Sequence, residues 1–217
     1  MKKNTSKILL DLLDKERKEA LFLLSPFFKQ KGILCGGTAL MVQLGHRRSY
    51  DFDIFFPSQI PEKFLRKASK IFGPEIRLET DNPDELTFIT SNKIKISFVY
   101  FPFPRLYPTL KIKSVSLSVW QDIASDKAYT IGRRPQYRDY IDLYFILKKG
   151  FPLPKIIEDA KKKYRGEFSE KLFFGQLSYL EDIRDFKIDF LKEKVTKKQV
   201  QKFFEKEVKK LKLLKGR

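Results

Sequence analysis

The 217-residue chain carries 45 Lys and Arg against 27 Asp and Glu, a formal net charge of +18, which points to a polyanionic partner, nucleic acid before an anionic membrane surface. With 42% hydrophobic residues and 21 Phe it is globular rather than disordered, and it is long enough for one core with a smaller helical appendage. One cysteine and one histidine exclude an intramolecular disulfide and a structural zinc site; with no apolar run of membrane-spanning length and no secretory apolar core, the expectation is a cytoplasmic protein off the membrane.

Residues 5 to 30 are predicted to be helical, because Ile8, Leu9, Leu12, Leu13, Leu21, Phe22 and Leu24 recur at helical spacing, with a break at Ser25-Pro26. A short apolar run, Ile33 to Cys35, ends at Gly36-Gly37, and an amphipathic helix follows. Polar and apolar residues alternate from Tyr50 to Phe56, the period of a strand. Pro61 to Phe72 has helical spacing, and Ile76 to Glu79, Glu85 to Thr90 and Lys93 to Tyr100 alternate as strands, with Ser91-Asn92 as a two-residue hairpin turn. The stretch around Pro102 to Pro108 is expected to be loop, and Val115, Leu117 and Val119 a further strand.

From Ser118, the start of a capping-box pattern, the character turns helical: a helix to about Ile131, another from Gln136 to Leu147, then a basic region with nineteen Lys/Arg against eleven Asp/Glu in residues 154 to 217. Val200, Phe203, Phe204, Val208, Leu211 and Leu214 form its last apolar stripe. The fold class is therefore α/β (α+β), a mixed β-sheet with flanking helices followed by a helical half. The boundary falls at 118/119, with residues 119–217 expected to form one wall of a cleft.

Two stretches carry chemistry. Asp51 and Asp53 lie two residues apart on one face of their strand, at roughly 7 Å between Cα atoms, close enough to ligate one Mg²⁺ or a pair of them. Gly36-Gly37-Thr38, at a strand-to-helix junction, lets backbone N–H groups approach an anion in the favourable field of a helix N-terminus. Together they suit transfer of a nucleotidyl or phosphoryl group. Taken singly, the glycines read equally as a tight turn and the acids as a solvated strand edge. Between them, Arg47 and Arg48 are positioned to hold a triphosphate or RNA, or to be solvated. His46 reads as a packing residue. Ser49 is expected to hydrogen-bond within its loop, and its hydroxyl could also accept a phosphoryl group.

The second stretch places Lys127, Arg133, Arg134 and Arg138 on two adjoining helices, cations suited to the β- and γ-phosphates of a nucleotide. Asp139 and Asp142 share a helical face, and Arg138 with Asp142 is predicted to pair at i,i+4. The plainer readings are a surface lysine at Lys127, a helix-dipole partner at Asp139 and a surface ion pair at Asp142.

Gly36-Gly37-Thr38-Ala39-Leu40 followed by His46-Arg47-Arg48-Ser49-Tyr50-Asp51-Phe52-Asp53 resembles the first motif of the polymerase-β-like nucleotidyltransferases, and more narrowly that of the AbiEii/AbiGii abortive-infection toxins, which include the MenT toxins. The resemblance implies catalytic roles for Lys127 and for Asp139 or Asp142. It also implies a third carboxylate on a later strand, where this chain has Ser97 in Ile94-Lys95-Ile96-Ser97-Phe98-Val99-Tyr100. Acceptor activation would then fall to the metal on Asp51 and Asp53, or to Asp139 and Asp142. Asp84 and Glu85 read as turn residues.

The expected activity is a metal-dependent nucleotidyltransferase using Mg²⁺ (or Mn²⁺) and an NTP. Asp51 and Asp53 would hold the metal at the α-phosphate, and the Gly37 and Thr38 amides and Lys127 the remaining phosphates. The basic charge favours an RNA acceptor. The family implies a tRNA 3′ end, and a cognate antitoxin as protein partner. Two alternatives stand beside this: a protein-modifying enzyme that transfers AMP or phosphate on the same fold, and a non-catalytic nucleic-acid-binding relic. A metal nuclease is disfavoured, because the hairpin 84 to 100 lacks a Glu-x-Lys arrangement.

Overall fold

The computed structural model describes residues 8–134, 136–184 and 187–215. The chain divides into two compact units, Met1–Val119 and Trp120–Arg217.

The first unit is built on a seven-stranded mixed sheet: β1 (Ile33–Cys35), β2 (Phe52–Phe56), β3 (Arg77–Asp81), β4 (Glu85–Ile89), β5 (Lys95–Tyr100), β6 (Leu110–Ile112) and β7 (Val115–Leu117), in the order β3-β4-β5-β2-β1-β7-β6. At its centre, β1 pairs antiparallel with β2 and parallel with β7, and β2 pairs in parallel with β5. Alternation along β2 buries Phe52, Ile54 and Phe56 on one side and leaves Asp53 and Phe55 half-buried on the other. Rings from two helices cover the buried side: Phe27 of α2 (Ser25–Phe28) and Phe64 of α4 (Lys63–Phe72) pack on each other and on Phe98, and Phe64 also meets Phe56. Burying side chains of this size supplies roughly 1.5–3 kcal/mol each, so this aromatic layer is the main core of the unit.

Several expectations are corrected. Of the helix predicted over 5 to 30, residues 5–7 lie outside the described residues. Leu10–Leu12 form a single 3-10 turn, and Leu13 is extended. Helix α1 (Lys15–Leu23) starts only at Asp14, whose carboxylate accepts from the Arg17 N–H at 2.8 Å. Ser91-Asn92 is not a two-residue turn. Lys93 joins it at φ +58, and Thr90 N–H reaches the Ile94 carbonyl at 3.0 Å, so a three-residue loop closes the hairpin. The loop predicted after Pro102 is followed by a strand the sequence did not announce, β6, turned back onto β7 through Lys113 at φ +52.

The second unit is helical: α5 (Trp120–Arg133), α6 (Tyr137–Lys148), α7 (Leu153–Tyr164), α8 (Glu170–Ser178) and α9 (Lys197–Lys215). Helix α5 packs against α6, α7 and α8, and α9 packs against α6, α7 and α8. Val200, Phe204, Val208 and Leu211 bury the predicted stripe of α9, while the Leu214 side chain lies outside the described residues.

Candidate active site

In the first unit, β1 runs straight into α3 (Gly36–Leu44) through Gly36, which turns at φ +65. Cys35 is register partner to Asp53, so the turn at Gly36 presses its backbone onto that carboxylate. A Cβ on Gly36 would overlap Asp53 Oδ2. A Cβ on Gly37 would stand 2.7 Å from Ser49 Oγ and 2.9 Å from an Arg47 guanidinium nitrogen. Both glycines are therefore required by close approach, Gly36 by its positive φ as well. No side chain caps α3 at Cys35, which leaves its first amides facing this corner.

The loop between α3 and β2 is tied down at several points. Buried Thr38 donates to the Asp51 carbonyl at 2.5 Å and lies 3.0 Å from Ser49 Oγ. Ser49 thus makes the expected loop contact. Arg47 is buried and donates to the Arg48 carbonyl at 2.9 Å. Exposed Arg48 reaches the Leu12 carbonyl at 3.1 Å, and Arg17 Nε holds the Tyr50 carbonyl at the same distance. His46 is buried. Gly36, Gly37, Thr38, Arg47, Ser49, Asp51 and Asp53 are thus one cluster, whereas Arg48 braces the loop against the N-terminal segment.

Ser97 is the β5 register partner of Asp53, on the same face of the sheet. Its hydroxyl lies 2.9 Å from Thr87 Oγ1, and Thr87 donates to Glu85 Oε1 at 2.6 Å. A carboxylate only accepts, so Thr87 gives its one proton to Glu85 and must accept from Ser97. Glu85 is therefore not a turn residue; it opens β4 and ends this hydroxyl chain.

Among the described residues no cluster of three or more His, Cys, Asp or Glu forms a metal cage. Mg²⁺ is commonly held by one or two carboxylates, with water and substrate phosphates completing its shell. The half-exposed Asp51 and Asp53, with the side-chain-free Gly36 beside Asp53, fit that mode.

The second unit gathers Lys127, Asp139 and Asp142. The Lys127 ammonium lies 2.6 Å from Asp139 and 2.7 Å from Asp142, with all three buried. Lys127 is thus no solvated surface lysine, and both aspartates face it. The predicted Arg138–Asp142 pair does not form: Asp142 goes to Lys127, and exposed Arg138 donates to Gln136 Oε1 at 2.8 Å. Arg133 is exposed, lies 4.5 Å over the Tyr129 ring and pairs loosely with Glu167. Tyr129 is pushed up to about 12, mainly by burial and then by its hydrogen bond to Glu167. Arg134 is also exposed. The sequence reading missed Lys163. It is fully buried, ion-paired with Asp122 at 3.0 Å and with Asp126, whose carboxylate also accepts from Tyr164 at 2.7 Å. The signal was present, since Lys163 falls on the buried stripe of Ile156, Ala160 and Tyr164.

The uncharacterized protein aq_aa25 of Aquifex aeolicus is 35% identical over 181 residues, covering 80% of this chain and 85% of its own. Among solved structures, the nucleotidyltransferase toxin MenT4 of Mycobacterium tuberculosis shares the fold at TM-score 0.61 and 15% identity, over 91% of this chain and 82% of that one. JHP933 of Helicobacter pylori does so at TM-score 0.51 and 16% identity, over 94% and 98%. The fold class is that of the nucleotidyltransferase toxins, as the sequence led us to expect. The profile described as nucleotidyl transferase AbiEii toxin, type IV toxin–antitoxin system, matches residues 20–215, and with the motif and sheet described above the chain belongs to the AbiEii nucleotidyltransferase toxin family.

Proposed function

We propose that this nucleotidyltransferase is metal-dependent and moves NMP from an NTP onto an RNA hydroxyl, a tRNA 3′ end by family analogy, as the toxin of an abortive-infection pair with a cognate antitoxin. The observation that carries this is the Gly36 corner, where an uncapped helix start meets the Asp53 carboxylate on a half-exposed face. Asp51 and Asp53 would hold Mg²⁺ or Mn²⁺, which when bound supplies a Lewis acid at the α-phosphate. The Gly37 and Thr38 amides face the phosphates, and buried Arg47 adds fixed positive charge beside them. Lys127, braced between Asp139 and Asp142, takes the role that the family resemblance assigns to it.

In the transfer, the acceptor oxygen bonds to the α-phosphorus, the bond to the bridging oxygen breaks, and pyrophosphate leaves. The hydroxyl proton has a route from Ser97 through Thr87 to Glu85, each oxygen passing on one proton as it gains another. Incubation with labelled NTPs, Mg²⁺ and total RNA tests the proposal. Label must move to RNA with wild type and fail to move with Asp51→Ala/Asp53→Ala. Equal transfer by both proteins, or none by wild type, refutes it.

Ser97 in place of a carboxylate favours a second reading, a nucleic-acid-binding relic without catalysis. Calorimetry separates the two, because a pure binder takes up RNA but neither NTP nor Mg²⁺.

A further inference from the structure

On the side of the sheet opposite Asp53, α2 and α4 enclose a groove of about 650 Å³ lined by Pro26, Lys29, Gln30, Lys63, Arg66, Lys67 and Lys70. Five of its seven lining residues are cations and none is an acid. Among the described residues, none of the five is in an ion pair; Lys67 instead lies 5.5 Å from the centre of the Phe27 ring. Along α4, Lys63 lies three and four residues before Arg66 and Lys67, and Lys70 four and three after them; the helix proper holds no acid, Glu62 standing at its N-cap. Like charges so placed repel and cost the helix roughly 0.2–0.5 kcal/mol a pair. Lys63 adds a cation in the first turn, the unfavourable end of the helix dipole. An external polyanion lying along the stripe would relieve this repulsion. A concave wall of one sign also focuses its field, raising the local concentration of such a ligand.

We infer that this groove binds the phosphodiester backbone of an RNA, gripping the acceptor at a point remote from its reacting end. The choice of RNA rests on the function proposed above; the presence of a polyanion site rests on the groove alone. Because the groove and Asp53 occupy opposite faces of one sheet, a long folded RNA can reach both, whereas a trinucleotide at the aspartates cannot. The groove thus selects acceptors by size.

The test is Lys29→Gln/Lys63→Gln/Arg66→Gln/Lys70→Gln in the full chain, leaving Lys67 on its ring, with Lys29→Gln/Lys63→Gln as a milder second variant. Binding of a folded RNA is followed by fluorescence anisotropy against salt, without NTP. The fourfold variant is expected to bind about tenfold more weakly, with a salt slope shallower by about 2, and the double variant to fall between. Its transfer to a trinucleotide acceptor is expected to match wild type. Unchanged RNA affinity and slope in both variants overturn the inference, as does loss of binding to phosphatidylserine vesicles with RNA binding intact. Should wild type transfer no label while the variants still lose RNA, the groove stands and the catalytic reading alone fails.

Discussion

Asp53 on β2 and Asp51 just before that strand are half-exposed in the first unit, whereas Asp122, Asp139 and Asp142 of the second are buried against lysine ammoniums. A buried carboxylate is tolerable only with its charge matched, and the ammoniums of Lys127 and Lys163 supply that match. Asp51 and Asp53 keep a face toward solvent, where an incoming cation can reach them. The difference separates carboxylates matched inside the protein by an ammonium from carboxylates on a half-exposed face.

Substitution sharpens this contrast. Lys163→Met strands the Asp122 carboxylate in the interior and is expected to lower unfolding free energy by about 3–5 kcal/mol in urea titrations. Asp51→Asn and Asp53→Asn should shift the urea midpoint less than Lys163→Met does, while label transfer falls about 10³-fold. An Asp53→Asn protein destabilised as much as Lys163→Met would erase the distinction. Gly36→Ala adds a Cβ at positive φ that must push Asp53 aside, and a displacement of that size is expected to reduce transfer about 10²-fold. Ser97→Ala and Glu85→Gln break the hydroxyl chain at its two ends. Each should slow transfer about tenfold, below a full general-base effect because Glu85 acts through two hydroxyls. Both should shift the pH–rate profile alike, with NTP affinity unchanged by calorimetry.

The smallest effect concerns Asp14. Burial alone would raise its pKa, but the Arg17 backbone N–H and guanidinium outweigh that and hold it below the ordinary 3.8. A depressed carboxylate contributes stability above its unfolded pKa and loses it as pH falls through the folded one. Thermal melts from about pH 5 to pH 2 should therefore show a small acid-side drop that Asp14→Ala removes.

Much of the first unit was legible in sequence because its signals are local and periodic. The alternation of residues 50–56 gave the strand, which begins at Phe52 and so carries Asp53 while Asp51 lies just before it, and Gly36-Gly37 marked the corner. β6 escaped because three residues are too few to show a period, and only its pairing with β7 defines it. Glu85 was hidden by the turn-like Asn82-Pro83-Asp84 before it. The Arg138–Asp142 pairing failed for a different reason. Spacing along one helix says nothing of a buried ammonium arriving from another, and Lys127 matches the Asp142 charge where exposed Arg138 does not.

The three-residue strand β1 links Leu34 in one direction to Ile54 and in the other to Leu117. A strand so placed depends on partners far apart in sequence. While the chain is being synthesised, the glycine corner can form early, but β2 gains its parallel neighbour only after residues 95–100 have emerged, and β1 closes only after 115–117. The sheet that carries the glycine corner is thus complete only once residues beyond the midpoint of the chain are available to pair.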